Sequence, residues 1–426
     1  MRGRSFSLPA VLACALMWVS AGCSTSIVSG GELRPGALDD ILSRTEAARG
    51  IRASGEIDAR VVTAEEMAVV VERTIHESWP AADAQRFEAT LTALGLWPSE
   101  KNLLDEYSRV VGREAAGIYV PQNGVLYVVS NLEIPVSIKI AQAAARRDLM
   151  RELLLSHELV HLLQHQAYPD VVGLTTSLRD QDDVAVALQS ALEGDATRYS
   201  FEALQTGSPP PAPTDMRAKL LEEMNKGDLA DTPLVIRYSL IFPYAYGYEL
   251  SVLEATLLLE DPPVSSEQVL HLDRRRQPFT MFDLGALHDS LPVGCEPLAE
   301  NTLGEMGISV LFRDLLDRPR ARAWQGWDGD RYLGARCEGR LEFLWLTSWD
   351  SAADAAEFAE EYAAVAPAVA GRAGHASPPR LERRQRRVLV YTEGLAPIAA
   401  RVAGAAGDRR IDNLADLLPG PGQELH

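Results

Sequence analysis

Leu153-Leu154-Leu155-Ser156-His157-Glu158-Leu159-Val160-His161-Leu162-Leu163 is an apolar run interrupted by a His-Glu-x-x-His pattern. On an α-helix the two histidines lie four residues apart, so they stack on one face and can grip a single zinc ion. Glu158 sits one residue round from His157, within reach of a water held at such an ion. Two imidazoles to hold the metal and a carboxylate to take a proton are what zinc-assisted hydrolysis needs. The run is apolar nearly all round, so this helix, which starts near Asp148, is expected in a core.

Ahead of the helix the period changes. Gly117-Ile118-Tyr119-Val120 and Val125-Leu126-Tyr127-Val128-Val129 are rich in β-branched and aromatic residues. Pro121-Gln122-Asn123-Gly124 lies between them, and Asn-Gly favours a tight turn, so a hairpin is expected. Residues 63–76 and 81–94 carry apolar positions at helical spacing, the second closed by Gly95 and Pro98. Beyond the motif, 183–204 reads as a second long helix, ended by Gly207 and a proline-rich loop at 208–213 able to cover a cleft. Helical patterns return at 214–226 and 244–260, with a short one from Ser265.

Hydrolysis at zinc requires a third ligand and an open fourth position. His165 shares the face of His161, but eight residues separate it from His157, about 12 Å of helix rise, too far for one ion. A metzincin would carry Gly and His where this chain has Gln164 and Ala167. The best third ligand is Glu193, in Ala191-Leu192-Glu193-Gly194-Asp195-Ala196, whose small neighbours permit close helix approach. With His157, Glu158 and His161 it resembles the gluzincin metallopeptidases over roughly residues 115–200. That resemblance implies a zincin-like α+β catalytic domain, a zinc ion on His157, His161 and Glu193, and Glu158 as general base. Thermolysin-like members place an Asp four residues after the ligand Glu to orient a zinc histidine; this chain has Thr197 there. Asp195, an acid from Asp180, Asp182 or Asp183, or a backbone carbonyl remain to orient the imidazole.

The amino terminus is an address. Arg2 and Arg4 precede a short apolar stretch that ends in Val19-Ser20-Ala21-Gly22-Cys23. This resembles the bacterial lipobox and implies removal of residues 1–22 with a lipid carried on Cys23. An ordinary signal peptide is the alternative. The resemblance implies a place in the cell envelope, at the outer membrane, facing the periplasm or the surface. Residues 23–55, rich in Ser, Gly and Ala, are expected to be a tether, with one short helical pattern at 38–48. Sixty Asp and Glu against 41 Lys and Arg give a net charge of −19, which argues against nucleic acid or an anionic membrane surface as the main partner. After export, Cys295 and Cys337 remain, able to form one disulfide or to stay as thiols.

Downstream, Tyr244, Tyr246, Tyr248 and His271 are chemically able to face a developing oxyanion, Tyr244 and His271 being the candidates retained. Packing in a core is the alternative for these aromatics. Trp324-Gln325-Gly326-Trp327-Asp328-Gly329-Asp330 reads as a turn at Asp328-Gly329 with tryptophans in a core, against a contact surface for carbohydrate or peptide. Strand, helix and strand patterns at 341–346, 352–365 and 387–392 suggest a small unit. The expected fold class is α+β: a metallohydrolase domain over 56–290 and a smaller α+β domain over 291–400. Residues 401–426 are expected to form a poorly ordered tail. The function expected is amide hydrolysis of a peptide or protein substrate by a membrane-anchored zinc enzyme. A zinc amidase acting on cell-wall material and a non-catalytic lipoprotein that uses the fold for binding or assembly are the alternatives.

Overall fold

The computed structural model describes residues 26–418, apart from 115, 133–138, 140, 141, 143–145, 179, 205–208, 255, 256 and 403–406. The expected signal segment 1–22, Cys23 and residues 419–426 lie outside the described residues. The chain opens with α1 (Ala37–Arg49), β1 (Asp58–Val62), α2 (Ala64–Ser78), α3 (Ala81–Ala93) and α4 (Leu103–Glu114). The hairpin β2 (Gly117–Val120) and β3 (Val125–Val129) precedes three long helices, α5 (Leu149–Ala167), α6 (Asp182–Leu204) and α7 (Leu234–Glu254). Then come β4 (Phe279–Asp283), β5 (Cys295–Asn301), α8 (Gly304–Leu315), β6 (Trp327–Cys337), β7 (Arg340–Trp349) and α9 (Ala352–Ala373). The strands β8 (Arg380–Arg384), β9 (Arg387–Tyr391) and β10 (Gly407–Ile411) complete a mixed α and β fold. Among the described residues no helix is long and apolar enough to cross a membrane.

Three strands in the order β1-β3-β2 carry the hairpin, β3 pairing parallel with β1 and antiparallel with β2, so β2 is a sheet edge. The Asn123 side chain accepts from the Val125 N–H at 2.9 Å, and Gly124 takes the positive φ of 68° that the turn demands. Every residue of β3 is buried. Leu126 and Val128 pack on Leu155, Leu159, Leu162 and Leu163 of α5, while Val125, Tyr127 and Val129 pack on Met67 and Val71 of α2. Helices on both faces explain why this strand is continuously apolar instead of alternating. Each buried leucine of α5 contributes roughly 1.5–3 kcal/mol to this packing.

The second sheet is antiparallel, in the order β8-β9-β7-β6-β5, with β4 and β10 forming a separate pair. Its core holds Trp327, Trp345, Trp349, Phe358 and Tyr362, all inaccessible to solvent. Cys295 and Cys337 face each other across β5 and β6 and are joined as a disulfide. Helix α3 lies on β5, β6 and β7, and one hydrophobic core runs from Leu91 through α5 and α6 to Trp345 and Ile411.

Four expectations change. The segment 23–55 is no free tether over its described part, because Ala37, Ile41, Thr45 and Arg49 bury one face of α1 against α5 and α6. The boundary at 290/291 is crossed by the shared core and by β10, which pairs with β4 from Ile411↔Phe279 to Gly407↔Asp283. That pairing also removes 407–411 from the expected tail, Ile411 being fully buried. Finally, Asp328-Gly329 is a bulge inside β6 and not a turn. A Cβ on Gly329 would meet the Thr280 carbonyl oxygen at 1.9 Å, so glycine is there for close approach of β4. The tryptophans around it do pack in the core.

Candidate metal centre

Helices α5 and α6 pack directly on each other, and this contact assembles the site. His157 Nε2 and His161 Nε2 lie 3.1 Å apart, and Glu193 Oε2 stands 3.1 Å from the first and 3.4 Å from the second. A tetrahedral ion with bonds of 2.0–2.1 Å separates its ligand atoms by about 3.3 Å, so this triangle has the size of one tetrahedral face. Two imidazoles and one carboxylate form a donor set that suits Zn²⁺. His157 is buried, while His161 and Glu193 side chains are 21% and 12% exposed, leaving the triangle reachable from one side.

Without an ion the triangle holds a proton. Burial alone would lower the pKa of His161, but the Glu193 carboxylate, helped by Glu158, overrides it and pushes it up to about 9. Burial likewise opposes ionisation of Glu193, yet His161 and His157 hold it well below the usual carboxylate range. A metal entering here displaces that proton.

Glu158 lies under the edge strand. The Tyr119 N–H of β2 donates to Glu158 Oε2 at 2.8 Å, and a Cβ on Gly117 would sit 3.4 Å from Glu158 Cγ. One carboxylate oxygen is thereby fixed by the strand. His165 is not a ligand: its Nδ1 is hydrogen-bonded to the Tyr119 hydroxyl at 2.8 Å, fastening β2 to α5.

The group that orients His161 is Gln164, one turn along α5. Its amide nitrogen donates to the Leu192 carbonyl and to Asp195 Oδ2, both at 2.9 Å, which turns Oε1 toward His161 Nδ1 at 2.8 Å. His161 therefore carries a proton on Nδ1 and presents Nε2 to the triangle. Asp195 Oδ2 also accepts from Arg49 Nε at 2.9 Å, in an ion pair sealed from solvent. The Arg49 guanidinium lies 4.8 Å from the Tyr199 ring centroid. So Asp195 acts through Gln164, and α1 closes the relay. Asp183 instead accepts from the Ser266 N–H, and Asp180 pairs with Arg331. His157 Nδ1 is buried with no hydrogen-bond partner among the described residues, so the two histidines are unequally supported.

Tyr244 of α7 belongs to the site: its ring stacks on His157 at 6.0 Å between centroids. Burial and the nearby Glu193 and Glu158 charges push its hydroxyl well above the usual phenol range, so it stays a proton donor. Tyr107 of α4 is raised by burial and by the same Glu193 charge. His271 is elsewhere, bonded through Nε2 to Glu305 Oε1 at 2.8 Å. Tyr246 packs on Phe242, and the Tyr248 hydroxyl donates to the Pro211 carbonyl, which pins the proline loop to α7. The helix approach allowed by small residues is between α6 and α7. A Cβ on Gly194 would meet the Gly247 oxygen at 2.0 Å, and one on Gly247 would meet the Ser190 oxygen at 2.0 Å. That crossing sets Tyr244 beside Glu193.

Gln164, Arg49, Tyr107 and the Tyr119 N–H are the site residues that sequence reading passes over. Only Gln164, three residues after His161 on a buried face, left a signal that could have been used.

Residues 293–405 match the model of a family described as a domain of unknown function (DUF8575), a span that excludes His157, His161 and Glu193. No curated protein and no solved structure matches the chain.

Proposed function

We propose that the protein is a zinc-dependent metallohydrolase with a zincin-like catalytic region, acting as a peptidase from a lipid anchor on Cys23 in the cell envelope. The observation that carries this is the tetrahedral-face spacing of His157 Nε2, His161 Nε2 and Glu193 Oε2 with Glu158 beside it. Zinc bound there supplies Lewis acidity, polarising an amide carbonyl and making a water molecule acidic enough to give up its proton near neutral pH. Glu158 accepts that proton on the oxygen not tied to the Tyr119 N–H, then returns it to the departing amine nitrogen. Tyr244, kept protonated by its surroundings, offers an O–H toward oxygen that gains negative charge. Gln164 keeps the His161 ring in register while this happens. The edge position of β2 favours an extended peptide as substrate, since the outer backbone groups that Glu158 does not engage can pair with an added strand.

The test is metal content of the soluble chain from residue 24 onward, with Glu193→Ala and His161→Ala beside it. One equivalent of zinc, lost in both variants, is expected. Hydrolysis of an unfolded protein, abolished in Glu158→Gln, then separates the peptidase from an amidase of cell-wall material and from a binding module. Absence of zinc after reconstitution sinks the reading.

A further inference from the structure

The chain is acidic as a whole, yet residues 380–410 hold eight arginines against three carboxylates. The hairpin β8–β9 and the strand β10 face each other across a concavity of about 760 Å³, remote in sequence from the metal ligands. Leu346 of β7, Leu389 of β9 and Val402 supply apolar lining, and five arginines complete the wall.

Two of these arginines are braced. Arg387 Nη2 lies 2.6 Å from Asp408 Oδ2, with its guanidinium 5.2 Å from the Phe282 ring centroid. Arg410 pairs with Asp328, a buried carboxylate that also accepts from the Thr280 and Ser348 hydroxyls at 3.0 Å each. The brace on Arg387 occupies one edge of its guanidinium and leaves the other available, whereas both terminal nitrogens of Arg410 are held, one by Asp328 and the Thr280 hydroxyl and the other by the Pro278 carbonyl. The remaining three are less engaged. Among the described residues no carboxylate lies within 4.0 Å of Arg386 or Arg409, and the nearest to Arg384, Glu382, stands 3.6 Å away. Five cations against Asp328, Glu382 and Asp408 leave the lining net positive. Exposed arginines concentrated on one concave wall repel one another, and an anion between them relieves that repulsion.

We propose that this concavity binds a phosphate monoester. The phosphoryl oxygens are met by Arg386 and Arg409 with the braced Arg387, Arg410 adding positive charge to the wall, and the organic part rests on Leu346, Leu389 and Val402. Several guanidinium forks lining one concavity match the three oxygens of a phosphoryl group better than the two of a carboxylate. The apolar lining favours an ester over free phosphate. The same chemistry is offered by a soluble ester and by a phosphatidic acid headgroup at a membrane.

The experiment uses the full chain from residue 24 with its disulfide intact. Phenyl phosphate and inorganic phosphate are titrated calorimetrically, and vesicles of phosphatidylcholine with and without phosphatidic acid are tested by co-sedimentation. Saturable binding is expected, tighter for phenyl phosphate than for inorganic phosphate and weakened by added salt. The pair Arg386→Ala with Arg409→Ala loses about tenfold or more in affinity with an unchanged melting temperature, both residues being exposed. Arg322→Ala, outside the concavity, retains binding. Binding of phenyl phosphate alone identifies a soluble ester, and binding of phosphatidic acid vesicles alone identifies a lipid headgroup. No saturable binding of either, or an equal loss in Arg322→Ala, overturns the proposal.

Discussion

Replacing Gln164 by leucine tests the relay behind the proposed metal site. The side chain is buried and makes three hydrogen bonds, accepting from His161 Nδ1 at 2.8 Å and donating to Leu192 O and Asp195 Oδ2 at 2.9 Å. Leucine conserves the volume but removes all three. Asp195 keeps its Arg49 partner and the Leu192 carbonyl keeps its place in the α6 ladder, whereas His161 Nδ1 loses its partner. Leaving a buried polar group without a partner costs about 1–3 kcal/mol, so the melting temperature should fall. The sharper effect is on zinc. Loss of a group that orients a ligating imidazole weakens metal affinity about 10–100-fold, equivalent to about 1.4–2.7 kcal/mol. Competition against a chromogenic chelator reads this directly, without any substrate. Gln164→Glu should behave differently: it can still accept from His161, but it sets a second carboxylate against Asp195. A folded Gln164→Leu protein that binds zinc as tightly as the parent would refute the relay.

Three further outcomes follow from the same geometry. Glu158→Gln retains its zinc and loses hydrolysis by about 10²–10⁴-fold, measured at saturating metal, because the amide cannot take a proton. Gly247→Ala destabilises the fold by about 3 kcal/mol in urea titration, since the added methyl collides with the backbone of α6 at Ser190; a neutral result would show that the helices can separate. Burial, with the Glu305 charge beside it, pushes Glu267 up to about 8 from 4.5, and burial pushes Asp183 up to about 7 from 3.8. The folded state thus holds protons that the unfolded chain releases, so stability is lost as pH rises from about 4 through 8 and then levels. Glu267→Gln should flatten that decline in urea midpoints between pH 5 and 8, and an unchanged slope would assign it to other groups.

The chemistry of α5 was legible because it is local. Helical spacing alone puts His157 and His161 on one face with Glu158 beside them, whatever else the chain does. The hairpin was equally readable, since Asn123-Gly124 sets the turn and β-branched residues set the strands. Tertiary structure decided the partners. Glu193 stands out in the sequence only by its small neighbours and its place on the next helix, and it is the packing of α5 on α6 that carries Oε2 to the histidines. No periodicity shows that Gln164, Asp195 and Arg49, from three helices, form one relay. Nor does any local pattern show that α1 docks instead of trailing, because a face of Ala37, Ile41, Thr45 and Arg49 looks polar until Asp195 and Tyr199 complete it. The pairing of β10 with β4 joins residues more than a hundred positions apart, and Gly329 is a bulge only because β4 presses on it. Period reports which face of an element is apolar; what covers that face is settled by contacts distant in sequence, and those exist only once the chain has folded.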